Sequence, residues 1–147
     1  MGRDIYEYDK MKRVAILTAV EQLKLRGENA IKASNIDRHD VFIIGKDIRI
    51  KIKFSKPIKR SSTVEHCWEF TKIIHKSRLW PNDIYNYYLL MGLNENGGVE
   101  KIWKVSTDDD VIYRKNQIFI PLNKTKEYNK YELIIIDDDD CQIQWIE

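Results

Sequence analysis

The stretch DVFIIGKDIRIKIKFSKP, Asp40 to Pro57, decides the fold. Val41 to Ile44 is a short apolar run, and Gly45-Lys46-Asp47 reads as a turn. Ile48, Ile50, Ile52 and Phe54 then alternate with Arg49, Lys51, Lys53 and Ser55. A period of two gives a strand one apolar face and one basic face. Pro57 ends it, because proline lacks the donor a ladder needs. The unit predicted is a β-hairpin with an acid, Asp40, at its entrance and cations along one side.

Upstream, YDKMKRVAILTAVEQLKLR, Tyr8 to Arg26, carries helical periodicity. Val14, Leu17 and Glu21 share one row; Ile16, Val20 and Leu23 share the next, so one broad apolar stripe is expected. Asp9 is placed to cap the start and Gly27 to end the helix. Residues 30–37 are short and mixed, and cross from helix to strand.

Downstream, HCWEF at 66–70 alternates, with Trp68 and Phe70 on one side of a strand. A loop or one helical turn should follow. Tyr85 to Leu93, YNYYLLMGL, is the most apolar strand and is expected to be central. After a turn at 94–98, further strands are predicted at Lys101–Ser106, Gln117–Leu122 and Tyr131–Ile136. One helix followed by many strands indicates an α+β domain over residues 1–147, with the helix covering one face of a mixed, mostly antiparallel sheet.

Composition agrees with a globular chain: 147 residues, 43% hydrophobic and 33% charged. No apolar run reaches membrane-spanning length, and the N-terminus has no apolar signal core. Cys67 and Cys141 lie far apart and form no metal spacing, so a reduced, cytoplasmic protein is the expectation. The net charge of +2 hides a split. Residues 1–81 hold 18 Lys/Arg against 10 Asp/Glu; residues 82–147 hold 7 against 13. A basic face can meet phosphates, and an acidic one offers a surface to a basic partner.

Arg49, Lys51 and Lys53 project from one side of their strand, and Lys56, Lys59 and Arg60 extend the same basic run into SKPIKRSST. Such a surface suits phosphate contacts. The other reading is a strand edge kept soluble by lysines. His66, Cys67 and His75 make no zinc spacing. The aromatic run at Tyr85, Tyr87 and Tyr88 is expected in the core rather than stacked on bases. No phosphate-binding glycine loop and no nucleophile elbow occurs.

Taken in order, VEQLKLRG (20–27), DVFIIGKDIRIKIK (40–53), HCWEF (66–70), NYYLLMGL (86–93), IWKVS and QIFIPL resemble the PD-(D/E)XK nuclease superfamily. That is the restriction-endonuclease-like or Holliday-junction-resolvase-like fold, and the likeness is greatest to homing and phage-type endonucleases. The resemblance implies a Mg²⁺ site in which Asp40 matches the metal-binding aspartate and Lys53 the lysine of the motif. Lys51 stands where the family places an acid. Arg13 falls near the position of a helix glutamate, and Asn86 where the tyrosine-rich strand usually begins with aspartate. Glu21 or Glu28 would have to complete a metal site built on Asp40. An ammonium has no lone pair for a cation, so the resemblance implies a nuclease scaffold with a degraded metal site.

Three functions are therefore expected in this order. The first is nucleic-acid binding, with DNA as partner, on a catalytically weak or inactive scaffold. The second is an active Mg²⁺-dependent endodeoxyribonuclease. The third is an assembly subunit that ignores nucleic acid. The resemblance also implies a possible homodimer.

Overall fold

The computed structural model of the chain describes residues 2–34, 37–59, 66–80, 84–113, 116–123 and 125–137. Its first element is a helix, α1 (Gly2–Leu25), which starts a turn and a half earlier than the sequence suggests. Asp9 therefore lies inside the helix rather than at its cap. Gly27 closes it as expected. Its φ of 86° is left-handed, its N–H donates to the Lys24 carbonyl at 2.9 Å, and Glu28 N–H returns to Leu23 O at 3.0 Å.

The strands are β1 (Ala30–Lys32), β2 (Val41–Ile43), β3 (Ile48–Ser55), β4 (Ile58–Lys59), β5 (His66–Thr71), β6 (Tyr87–Leu93), β7 (Val99–Ser106), β8 (Gln117–Pro121) and β9 (Glu132–Leu133). Six of them form a sheet in the order β1-β2-β3-β6-β7-β9. Its neighbours pair antiparallel except β3 and β6, which run parallel with Ile50 opposite Tyr87 and Ser55 opposite Gly92. This is the α+β arrangement expected, with the N-terminal helix packed on the sheet. A second antiparallel sheet, β4-β5-β8, was not anticipated as a separate layer.

Two cores explain the layering. Ala15, Ile16, Ala19 and Leu23 of α1 pack with Ile50, Ile52, Leu89, Met91 and Leu93. On the opposite face, Trp68, Phe70, Ile118 and Ile120 of the small sheet pack with Tyr88, Leu90, Trp103 and Val105. Every residue of β6 is buried, because alternate side chains feed one core and then the other. That is why its sequence reads as a continuous apolar run instead of an alternation. Gly92 lies on the second face directly under the Trp68 indole, whose N–H donates to the Leu93 carbonyl at 2.8 Å.

The helix seats itself on small residues. Ala15 and Ala19 are wholly buried, whereas Val14 and Leu17 are 39% and 55% exposed. The apolar stripe is thus narrower than the two-row reading, and its outer row faces solvent. The final strand is also shorter than expected. Residues 126–131 form a 3₁₀ turn, β9 spans only two residues, and 134–136 leave the sheet. There α1 takes over as partner: Gln22 Nε2 donates to Ile136 O and Gln22 Oε1 accepts from Ile136 N–H, both at 2.8 Å. The Arg26 guanidinium donates to Ile134 O. Among the described residues, no helix is long and apolar enough to cross a membrane.

Candidate nucleic-acid interface

β3 carries the chemistry, and its two faces are settled by what lies against them. Ile50 and Ile52 point into the core under α1. Lys51, Lys53 and Ser55 point to the other side. At the far end of β3 this side is closed by β5, where Glu69 N–H donates to Ser55 Oγ at 3.0 Å. Toward the near end it is open, and Arg49 is exposed.

Asp40 stands where β2 stops short of the length of β3. Its backbone N–H donates to Ile50 O at 2.8 Å, continuing the ladder by one bond. The next donor on β3, Ile52 N–H, has no strand opposite it. The Asp40 carboxylate accepts from it at 2.8 Å, replacing a backbone carbonyl. Asp40 is 8% exposed, so this charge-assisted bond in a protected place contributes about 1.5–3 kcal/mol. The same oxygen lies 3.6 Å from the Lys51 ammonium, which also donates to Arg38 O at 3.1 Å. Lys51 further lies 6.0 Å from the centre of the Tyr85 ring. The lysine is thus held by an anion, a carbonyl and an aromatic face, a typical cation environment.

These groups form the floor of a cleft of about 620 Å³. Its walls come from the first half of α1 (Asp9, Lys12, Arg13, Ile16), from Lys32 at the end of β1, and from Ala33, Ser34, Asp37, Arg38 and His39 between β1 and β2. Lys12, Arg13, Lys32, Arg38 and Lys51 supply five cations against the carboxylates of Asp9, Asp37 and Asp40. Two of those three carboxylates already accept backbone N–H groups: Asp37 from Ser34 at 3.1 Å and Asp40 from Ile52. The surplus positive charge is what a phosphate would meet.

Of the residues singled out from sequence, Asp40 and Lys51 line this cleft together. Lys53 follows on the same strand face. Its ammonium is pushed below the ordinary lysine range, first by burial, then by Lys51 and Lys72, while Asp40 acts in the opposite sense. The sign follows directly. A lysine harder to protonate when folded makes the folded state gain stability as pH rises from the folded pKa to the unfolded one. At neutral pH its charge is a cost. Lys53→Met should therefore raise the midpoint of thermal unfolding. A Lys53→Met protein that unfolds at a lower temperature than the parent would contradict this placement.

The other basic residues scatter. Arg49 sits at the mouth of β3, where Asn86 Oδ1 accepts its backbone N–H at 2.7 Å and Asn86 N–H returns to Arg49 O at 2.8 Å. Lys56 lines a separate small groove with Glu7, Lys10, Met11, Val14, Asn96 and Gly97. Lys59 is exposed on β4, opposite His66. Arg60 lies outside the described residues. Glu21 is exposed on α1, and Glu28 pairs with Lys46 of the hairpin turn at 2.6 Å. Neither lines the cleft with Asp40.

A divalent cation does not fit this donor set. One Asp40 oxygen is already taken by Ile52 N–H and faces an ammonium. Among the described residues no group of three His, Cys, Asp or Glu side chains is disposed to hold a metal ion. Hard cations need several converging oxygens, and although Asp9 and Asp37 also line the cleft, the three carboxylates are not grouped to hold an ion.

Comparison with solved structures locates the fold. The structure of a bacterial homing endonuclease, I-Ssp6803I, superposes with a TM-score of 0.53 at 11% identity, covering 90% of this chain and 88% of that one. The fold is similar to that of this endonuclease. At this identity the likeness concerns architecture alone. No protein-family model and no curated protein sequence matches the chain. Around Asp40 this fold carries a cleft lined by five cations and three carboxylates.

The walls from α1, from residues 32–34 and from residues 37–39 were missed in the sequence, apart from Arg13. A signal was present: Asp9, Lys12, Arg13 and Ile16 follow the spacing of one helix face. Reading the helix only for its apolar stripe hid it.

Proposed function

We propose that this chain binds nucleic acid by gripping backbone phosphates in the cleft around Lys51, without hydrolysing them through a bound divalent cation. The observation that carries the reading is the Lys51 ammonium, held 3.6 Å from Asp40 in a cleft whose walls add Lys12, Arg13, Lys32 and Arg38. A fixed cation needs no metal to attract a phosphate. The surrounding side chains offer positive charge and hydrogen-bond donors but no base-reading pattern, so contact to the backbone dominates.

Titration of labelled duplex and branched DNA by fluorescence anisotropy tests this. Binding should weaken steeply with salt, with a log–log slope of about −3 to −5 if most of the five cations each neutralise a phosphate. No binding at low ionic strength would overturn the proposal. The likeness to a homing endonuclease favours a second reading, Mg²⁺-dependent DNA cleavage involving Asp40 and Lys53. Incubation with Mg²⁺ or Mn²⁺ separates the two. The proposal expects intact DNA; nicking that disappears in Asp40→Asn would establish the second reading.

A further inference from the structure

The outer face of α1 holds a second pattern that the cleft does not use. Glu7, Lys10, Val14, Leu17, Glu21 and Lys24 are all exposed, and their spacing alternates three and four residues along the helix. That is heptad spacing, with Lys10, Leu17 and Lys24 at one position and Glu7, Val14 and Glu21 at the other, and Val14 and Leu17 as its apolar pair. The seam is distinct from the face buried on the sheet, which uses Ala15, Ile16, Ala19 and Leu23. Its centre is apolar and its ends are charged.

The order of the charges selects an occupant. Place a second copy of α1 antiparallel across this seam, with a twofold axis passing between Ala15 and Ile16. Val14 then meets Leu17 of the second copy, Lys10 meets Glu21, and Glu7 meets Lys24. Each contact is repeated by symmetry, as an isologous interface requires. Every charged layer joins opposite signs around an apolar middle. A parallel pairing would set Lys10 on Lys10 and Glu21 on Glu21, so the pattern opposes that alternative as well as favouring this one.

We infer that the outer face of α1 is a self-association surface, on which two copies of the chain pair antiparallel around a twofold axis. The cleft uses a neighbouring face of α1, where Asp9, Lys12, Arg13 and Ile16 stand, and Arg13 borders both.

The test is sedimentation equilibrium of the full chain, without nucleic acid, over a range of concentrations. A monomer–dimer equilibrium is expected. Leu17→Glu should leave only monomer while the far-ultraviolet circular dichroism stays unchanged, because the side chain replaced is exposed. Lys10→Glu and Glu21→Lys should each weaken the dimer by about tenfold or more. The double variant should return to within about threefold of the parent. Lys10 and Glu21 lie three turns apart on the helix, about 16 Å, so recovery reports a contact between copies and not one within a chain. A parent that stays monomeric at every concentration, or a double variant as weak as the single ones, would overturn the inference.

Discussion

Lys51→Glu should convert nucleic-acid binding from metal-indifferent to metal-dependent. In the parent, the Lys51 ammonium sits against Asp40 and Arg38 O and supplies the positive charge of the cleft floor. Glutamate there removes a cation and adds an anion beside a protected carboxylate. In the presence of a chelator the affinity should fall by about 2–3 kcal/mol, roughly 30- to 160-fold. The same change puts two carboxylates side by side, a donor set that Mg²⁺ accepts and Lys51 excludes. Adding Mg²⁺ at constant ionic strength should then recover most of the lost affinity. The parent should bind equally in chelator and in Mg²⁺. Anisotropy titrations of both proteins under both conditions decide the matter. A Lys51→Glu protein that binds like the parent in chelator would remove Lys51 from the interface, and a parent that requires Mg²⁺ would remove its role as the fixed cation.

The largest effect on stability is expected where β6 passes beneath the small sheet. A Cβ at Gly92 would lie 2.7 Å from Trp68 Cε2 and 2.8 Å from Cδ2, far inside contact distance. The indole cannot easily yield, because it is 1% exposed, packs against Trp103 with ring centres 5.5 Å apart, and is tethered to Leu93 O. Gly92→Ala should cost about 1–3 kcal/mol by overpacking. Trp68→Ala should cost about 3–5 kcal/mol through the cavity and the carbonyl left without its donor. The two changes touch the same space, so they should not add. In the Trp68→Ala background the extra methyl at position 92 has room and should cost almost nothing. Urea denaturation of the four proteins measures this coupling. Strict additivity would show that the glycine is there for some reason other than the indole.

Much of this architecture was legible because it rests on local periodicity. The alternation from Ile48 to Phe54 gave the faces of β3 correctly, since each apolar residue had a helix to pack against. The unbroken run in β6 signalled a central strand, and Gly27 marked the end of α1. The separate small sheet was not legible. His66–Thr71 and Gln117–Pro121 are far apart in sequence, and nothing local states that they pair with each other rather than join the main sheet. The strand expected at Tyr131–Ile136 is cut down to Glu132–Leu133 for a similar reason. Its apolar residues suggested a ladder, but the partner of Ile136 is a glutamine amide on the helix.

The candidate site was legible in part. Asp40 and Lys51 stood out because they flank one short hairpin, and pairing across it brings them together. Lys32 and Arg38 could not be placed, since the conformation of the connection between β1 and β2 has no periodicity to read. Lys56 and Lys59 looked continuous with the stripe on β3. In space the chain turns after Ser55 into the second layer and carries them away from the cleft.

The grip of Gln22 on Ile136 has a consequence for how the protein is made. The two residues are 114 positions apart, and the amide holds both polar groups of the later one. At translation rates of about 5–20 residues per second, α1 leaves the ribosome on the order of 6 to 23 seconds before that contact can close. Throughout that interval the nascent helix lacks its last restraint, and a chaperone that recognises amphipathic segments has its opportunity then.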